Sequence, residues 1–358
     1  MLRPGLRVLC VSMLLVATAC ATSNDLRSDK QGVPRATKEI RRDAIARARV
    51  WSATNVAARD LRAGPAGKGA VAPFADIRCD YIEKKLDGAS SKFACALQPG
   101  DEVKIKYGAD NYEVFSIVAA SRLLWALGFG ADRWYPVRVI CRGCSDDPFR
   151  QPAPQAGERT FDVAAMERPY GARAIETRND EGWSWEEFDK LAEGADPAER
   201  DALRLLAVFL QHTDTKPQQQ RLVCQDETDT RTATPERCGT PFMYLHDVGL
   251  TFGKATTFNV QHSSSMNFDN WSKKEIWDDK KRCVGNLSRS FTGTIGNPII
   301  HEAGRKFLAD LLMQLTDAQL RDLFEVARFP QYTEVTADAW IAVFKAKRAQ
   351  IVDITCQP

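Results

Sequence analysis

The chain has 358 residues, of which 44% are hydrophobic and 27% charged, so it can bury one large core or two modest ones. This is the composition of an ordinary globular protein. Its 49 basic and 47 acidic residues nearly cancel. Because no strong positive field results, we expect no nucleic acid among its partners.

The N-terminus is typical of an export signal. Arg3 and Arg7 precede a short apolar run, residues 8–16, and Ala17–Ala19 offers a small-residue cleavage site. The run is too short to span a membrane. We therefore predict a signal peptide over the first 19 residues; its removal takes two arginines from the 49 basic residues and leaves 47, equal to the 47 acidic ones.

Cys20 directly follows the predicted cleavage site, so it is a candidate for lipid acylation. Acylation would anchor the chain in the bacterial cell envelope and make the membrane a partner. The Leu that usually stands three residues before such a cysteine is missing here. Plain secretion to the periplasm or the exterior therefore stays open.

Ten cysteines are present, and two of them, Cys10 and Cys20, lie in or next to the signal. An even set of eight in an exported chain indicates disulfides, although eight cysteines permit many pairings. Pairing of near neighbours predicts the bridges Cys79–Cys95, Cys141–Cys144, Cys224–Cys238 and Cys283–Cys356. The alternative is a zinc site that joins Cys141 and Cys144 to another pair.

Behind the signal, residues 20–38 are polar and predict a flexible tether. Residues 39–76 predict a helical extension, with a helix from Ile40 to Leu61, followed by a connector. The connector contains the glycine-rich stretch Gly64–Gly69, but Lys68 is not followed by Ser or Thr, so a phosphate-binding loop is not indicated.

Strands and one helix are predicted between residues 77 and 165. An Asp-Gly pair separates two short strands and indicates a hairpin. The predicted elements are the strands Tyr81–Leu86, Phe93–Leu97 and Glu102–Tyr107, the helix Asn111–Leu127 and the strand Trp134–Cys141. The following segment, Ser145–Gly182, is rich in Pro, Gly and charge and predicts a connection with an insertion.

Residues 166–358 predict a mainly helical unit. Asp196 and Pro197 open a helix with an N-cap and a proline in the first turn. This predicted helix leads directly to His212 along the chain. Further helical patterns cover residues 302–314, 317–327 and 337–350, and Thr316 with Gln319 forms a capping box.

Two short motifs carry the chemistry. His212–Gln219 reads His-Thr-Asp-Thr-Lys-Pro-Gln-Gln and resembles the H-x-D-x-K-P-x-N catalytic loop of protein kinases, with Gln219 in place of the metal-binding Asn. His246–Gly249 resembles the D-x-G metal turn. The resemblance implies that Asp214 is the catalytic base, assisted by Lys216. It also implies that Asp247 and Gln219 bind the metal. Taken singly, Asp214 could be an ordinary surface-turn Asp, and Asp247 could simply end the buried apolar strand Phe242–Leu245.

The remaining site residues lie in the strand-rich part. Val103, Ile105 and Tyr107 share one face of their strand, so Lys104 and Lys106 share the other. The resemblance implies that one of these lysines contacts the nucleotide phosphates, and that Glu113 pairs with it. The hairpin turn, with Ser90, Ser91 and Lys92, would cover the phosphates. Solvated lysines and a polar turn are the alternatives.

The chain as a whole resembles the atypical branch of the protein-kinase-like superfamily over about residues 77–330: secretory-pathway, spore-coat, type II phosphatidylinositol and persistence-toxin kinases. The resemblance implies an α+β fold of two lobes, a small β-rich lobe with one helix (77–165) and a larger, mainly helical lobe (166–358). ATP or another nucleotide with Mg²⁺ or Mn²⁺ would be the cofactor. The acceptor would be a hydroxyl on a protein, a glycan or a small molecule. The alternatives are a catalytically silent, pseudokinase-type lipoprotein and a structural lipoprotein with accidental motifs.

Overall fold

The structure, a computed structural model, describes residues 35–170, 173–225, 238–253, 265–287 and 293–357. The predicted signal peptide, the acylation candidate Cys20 and most of the predicted tether lie outside these residues. Within them, no helix combines the length and the apolar character needed to cross a membrane.

Both helices and strands are present, as the sequence predicts. The strands of the described residues are β1 (Ala75–Ile82), β2 (Lys92–Gln98), β3 (Asp101–Tyr107), β4 (Arg133–Arg142), β5 (Glu158–Arg168), β6 (Arg173–Ala174), β7 (Gln220–Cys224), β8 (Pro241–Leu245), β9 (Trp277–Asp279) and β10 (Val284–Gly285). The helices are α1 (Lys38–Arg47), α2 (Glu113–Ala126), α3 (Trp185–Leu191), α4 (Pro197–Leu210), α5 (Phe268–Lys273), α6 (Glu302–Met313), α7 (Asp317–Val326), α8 (Phe329–Thr333) and α9 (Ala337–Val352).

Strands β1 to β5 close into a barrel in the order β1-β2-β3-β5-β4. β1 runs parallel to β4, and the other neighbours are antiparallel. Inward-facing apolar side chains fill the barrel, and they include Phe93, Val103, Ile105, Tyr107, Tyr135, Val137, Val139 and Phe161. α2 packs against β4 and β5.

A second, larger core joins α2 to the helices that follow the barrel. Asp196 caps α4 through a bond from the Ala198 amide, 2.7 Å. The capping box of Thr316 and Gln319 opens α7 with both of its hydrogen bonds. The predicted helices in the last third of the chain are therefore confirmed to within about two residues.

All four predicted cysteine pairs lie at bonding distance, with Cα–Cα separations of 5.5–5.7 Å. Cys283–Cys356 closes the longest loop, with a sequence separation of 73. A bonded cysteine has no thiolate to offer a metal. The structure therefore supports the disulfide prediction over the zinc alternative.

Three local predictions are wrong. The helix predicted over residues 40–61 ends at Arg47, because Arg49 instead pairs with the edge of β8: its amide donates to Pro241, 2.9 Å, and its carbonyl accepts from Met243, 2.9 Å. The first hairpin strand ends at Ile82, which lengthens the turn. β5, an 11-residue strand, lies inside the segment predicted as a connection.

Candidate active site

The two sequence motifs lie side by side because of a hairpin. β7 begins directly after the first motif, β8 ends directly before the second, and the two strands pair antiparallel with Gln220 opposite Leu245. The amides of His246 and Asp247 both donate to the carbonyl of Gln219, at 2.7 and 3.3 Å. Strand register alone thus brings together two motifs that lie far apart in sequence.

The motifs face a cleft of about 220 Å³ beneath the turn that joins β1 to β2. Its lining includes most of the residues that the sequence singles out. These are Ser90, Lys92, Lys104, Glu113, Asp214, Lys216, Gln219 and Asp247. Ser91 is not among them: its carbonyl accepts from the side chain of Asn111, 3.1 Å.

Lys106 is fully buried and does not itself line the cleft, but it contacts two residues that do, Glu113 and Asp247. Its Nζ lies 2.6 Å from Glu113 Oε2 and 3.2 Å from Asp247 Oδ1. Burial alone would lower the pKa of this ammonium, but the two carboxylates outweigh burial and raise the pKa. Lys106 is therefore a fixed cation that joins α2 to the second motif, and Glu113 is the partner that the sequence predicted.

Lys104 takes a different partner, although it shares a strand face with Lys106. Its Nζ lies 3.0 Å from Glu167 Oε1, and both side chains are about 5% exposed or less. Both ammonium groups lie over the Trp134 ring, with Lys104 Nζ 5.4 Å and Lys106 Nζ 5.6 Å from the ring centroid. The structure thus distinguishes two lysines that the sequence pattern could not.

Asp247 is held in an ionised, fixed position. The amide of Gly249 donates to its Oδ1, 3.0 Å, which closes the turn of the second motif. Burial would raise the pKa of this carboxyl, but the neighbouring cations Lys106 and Lys104 overcome that effect and lower the pKa well below its ordinary value. The hydroxyl of Ser265 donates to the Gly249 carbonyl, 2.8 Å, and fixes the turn from the other side.

Asp214 lies across the cleft within a short polar network. Gln219 Nε2 donates to Asp214 Oδ2, 2.8 Å, and Lys216 Nζ lies 3.6 Å from the same oxygen. The amide nitrogen of Gln219 therefore donates to Asp214, and Gln219 and Asp247 both line the cleft. A carboxylate and an amide oxygen are the hard donors that Mg²⁺ accepts, so these residues fit a magnesium ion.

The turn over the cleft brings a third lysine to the site. Gly88 has a φ of +95°, which favours glycine, and Lys92 Nζ lies 2.6 Å from the position that a Cβ would take there. Burial lowers the pKa of Lys92 to about 8, assisted by the charge of Lys106. The turn and Lys92 therefore form a lid that presents positive charge to the cleft.

Some polar groups beside the cleft were missed by the sequence interpretation. Asp132 contacts His246 Nδ1 through its Oδ2, and its Oδ1 accepts from the amide of Tyr170, 2.7 Å. No local motif marks Asp132, since only the fold brings it to His246.

Burial lowers the pKa of His212 to about 4, although the carboxylates of Asp214 and Asp247 oppose the shift. Both carboxylates therefore act on one imidazole.

No protein-family model matches the chain, and no curated protein matches it. A crystal structure of the Helicobacter pylori proinflammatory kinase CtkA matches with a TM-score of 0.41 and 9% sequence identity, over 78% of this chain and 96% of that chain. A likeness at this TM-score is too weak to carry an argument about fold or function.

Proposed function

We propose that the chain is an exported, kinase-like phosphotransferase of two lobes, which moves the γ-phosphoryl of a nucleotide to a hydroxyl acceptor with the help of Mg²⁺. The observation that carries the proposal is the contact of buried Lys106 with Glu113 and Asp247, two carboxylates that line the same cleft as Asp214. Phosphoryl transfer needs positioning and charge stabilisation more than covalent chemistry, and these residues supply both.

Each residue has a distinct role in this proposal. Asp247 and Gln219 would hold the magnesium ion, which when bound neutralises charge on the phosphates. Lys106, anchored by Glu113, offers its ammonium to the phosphates, and Lys92 approaches them from the turn. Asp214 orients the acceptor hydroxyl and accepts its proton, while Lys216 supplies a positive charge beside the transferring group.

The export expectation agrees with four disulfides, which are typical of proteins in oxidising compartments. Anchoring through Cys20 belongs to the same proposal and has a simple test. A mass spectrum of the mature N-terminus is expected to show acyl chains on Cys20; an unmodified N-terminus would remove the anchor without affecting the cleft.

One observation favours a second candidate, a binding protein without catalysis. Gln219 stands where the resemblance implies Asn, and its amide bonds to Asp214, the predicted base. If this bond persists with nucleotide bound, it stabilises the ionised carboxylate and makes Asp214 a weaker proton acceptor. In that case the cleft would bind a nucleotide and transfer little or nothing.

Two measurements separate these candidates. Thermal unfolding of the full chain with ATP, with and without Mg²⁺, is expected to show metal-dependent stabilisation for either one. Transfer of labelled γ-phosphate to the chain or to envelope proteins, abolished by Asp214→Asn and by Asp247→Ala, supports the enzyme. Stabilisation without any transfer supports the binding protein, and the absence of both contradicts the proposal.

A further inference from the structure

A second cavity, of about 420 Å³, lies outside the cleft, and no residue lines both. We call it the connector pocket. Residues between Ser52 and Lys68 form one wall, Trp125 near the end of α2 and Arg133 at the start of β4 form another, and Tyr170 adds an aromatic surface. Its volume is within the range of pockets that hold small molecules, roughly 300–1,000 Å³.

The charge of the connector pocket is one-sided. Arg59, Lys68 and Arg133 line it, and among the described residues no Asp or Glu does. None of the three cations forms an ion pair with a described carboxylate. Arg59 donates to the Thr54 hydroxyl, 2.8 Å, and lies over the Trp125 ring, whereas Arg133 donates to the Lys68 carbonyl, 3.1 Å.

A fourth cation lies directly behind the connector. Arg122 is fully buried and donates to the carbonyls of Leu61 and Arg62, 2.8 Å each. Its Nε and Nη2 have no hydrogen-bond partner among the described residues. Burial lowers the pKa of Arg122 to about 10, although the Asp60 carboxylate opposes the shift. The burial of this charge is costly, and an anion in the adjacent pocket would reduce that cost.

The walls of the pocket are fixed before any ligand binds. The Tyr135 hydroxyl donates to the Pro65 carbonyl, 2.5 Å, and the Ser52 amide donates to the Gly128 carbonyl, 2.9 Å. Trp51 Nε1 donates to the Leu127 carbonyl, 2.8 Å. Because these bonds hold the connector against α2, ordering it costs little on binding.

From this combination we infer that the connector pocket binds a small organic phosphate. Arg and Lys side chains match the oxygens of a phosphate group, and guanidinium groups can do so with two parallel hydrogen bonds. Trp125 and Tyr170 add aromatic side chains to the pocket lining, which the organic part of such a ligand can contact. The inference does not depend on the proposed function, since it uses no residue of the cleft.

Hydrogen exchange of the full chain, resolved by peptide, gives a test that separates this pocket from the cleft. Phenyl phosphate is the probe, and phenol is its neutral analogue. We expect phenyl phosphate to slow exchange in peptides that cover residues 52–69, and phenol to leave them unchanged. No slowing there, or equal slowing by phenol, would overturn the inference, whatever happens in cleft peptides.

Variants assign the effect to the three cations. A triple variant is expected to weaken phenyl phosphate binding by roughly tenfold or more for each cation that binds the phosphate. It combines Arg59→Gln, Lys68→Gln and Arg133→Gln. The control carries the same charge change at exposed sites, Arg150→Gln, Lys190→Gln and Arg282→Gln, and is expected to bind as the wild type does.

Lys68→Gln alone guards against a folding defect, because the Lys68 side chain forms no hydrogen bond or ion pair within the described part of the chain. It is expected to bind phenyl phosphate several-fold more weakly with an unchanged thermal unfolding midpoint. Unaltered binding in both the triple and the single variant would refute the site.

Discussion

Lys104 and Lys106 form a matched pair that tests the site directly. Both are buried, both lie on the same face of β3, and both approach the Trp134 ring at nearly the same distance. Lys106 contacts Glu113 and Asp247, whereas Lys104 pairs with Glu167. Replacing each lysine with Met removes one charge and keeps most of the volume.

The proposed function predicts that Lys106→Met weakens binding of Mg²⁺-ATP. A hydrogen bond to a charged group contributes about 1.5–3 kcal/mol, which corresponds to a loss of affinity of roughly 10- to 150-fold. Lys104→Met is expected to weaken binding less, because Lys104 pairs with Glu167, whereas Lys106 lies against Asp247, the proposed metal ligand. Isothermal titration calorimetry of the full chain measures both.

The free energy of unfolding should change in the opposite order, with a larger loss for Lys104→Met than for Lys106→Met. Lys104→Met leaves Glu167 buried without its cation, which costs about 3–5 kcal/mol. The carboxylates beside Lys106 are 20% and 21% exposed, so solvent reduces the corresponding cost to about 2 kcal/mol. Urea unfolding measures this difference. If Lys104→Met has the larger effect on affinity, the assignment of the phosphate-binding lysine is refuted.

Three further predictions address catalysis, pH dependence and the disulfides. Asp214→Asn should lower the transfer rate by roughly 10²- to 10⁴-fold while the Kd for Mg²⁺-ATP stays nearly constant. A large change in Kd with an unchanged transfer rate would exclude Asp214 as the base. The pKa of Lys92 is about 8 in the folded chain and near its ordinary 10.5 in the unfolded chain. Between about pH 8 and 10.5, Lys92 is therefore mostly protonated in the unfolded chain and mostly neutral in the folded one. Stability relative to Lys92→Met should therefore rise as pH increases from about 8 to 10.5; parallel curves from urea unfolding would contradict this. Replacing Cys283 and Cys356 with Ser should lower the free energy of unfolding by about 4 kcal/mol, because their bridge closes the longest loop, and a loss below about 1 kcal/mol would show that the bridge does not form.

Much of the site could be predicted because its residues lie in compact motifs. Asp214, Gln219 and Asp247 stand at fixed positions within two short stretches, and the apolar helix before the first motif and the apolar strand before the second mark where the chain turns. Alternation along β3 placed Lys104 and Lys106 on one face. The choice between the lysines was beyond the sequence, because it depends on Glu113 from α2 and Glu167 from β5.

Other features depend on contacts between distant residues. β5 was missed because its residues show no clear alternation, and its partners β3 and β4 decide its conformation. Asp132 carries no motif and gains its role only when the fold brings it to His246. The helix predicted from Ile40 was too long because hydrogen bonds of Arg49 to β8 outweigh the helical preference of the segment.

A crystal structure of the full chain with Mg²⁺ and a non-hydrolysable ATP analogue tests the central claim most directly. The metal is expected between the side-chain oxygens of Asp247 and Gln219, with the phosphates within hydrogen-bond distance of Lys106 Nζ and beneath the turn that contains Gly88. A nucleotide bound elsewhere, or none in crystals grown at saturating concentration, would contradict it.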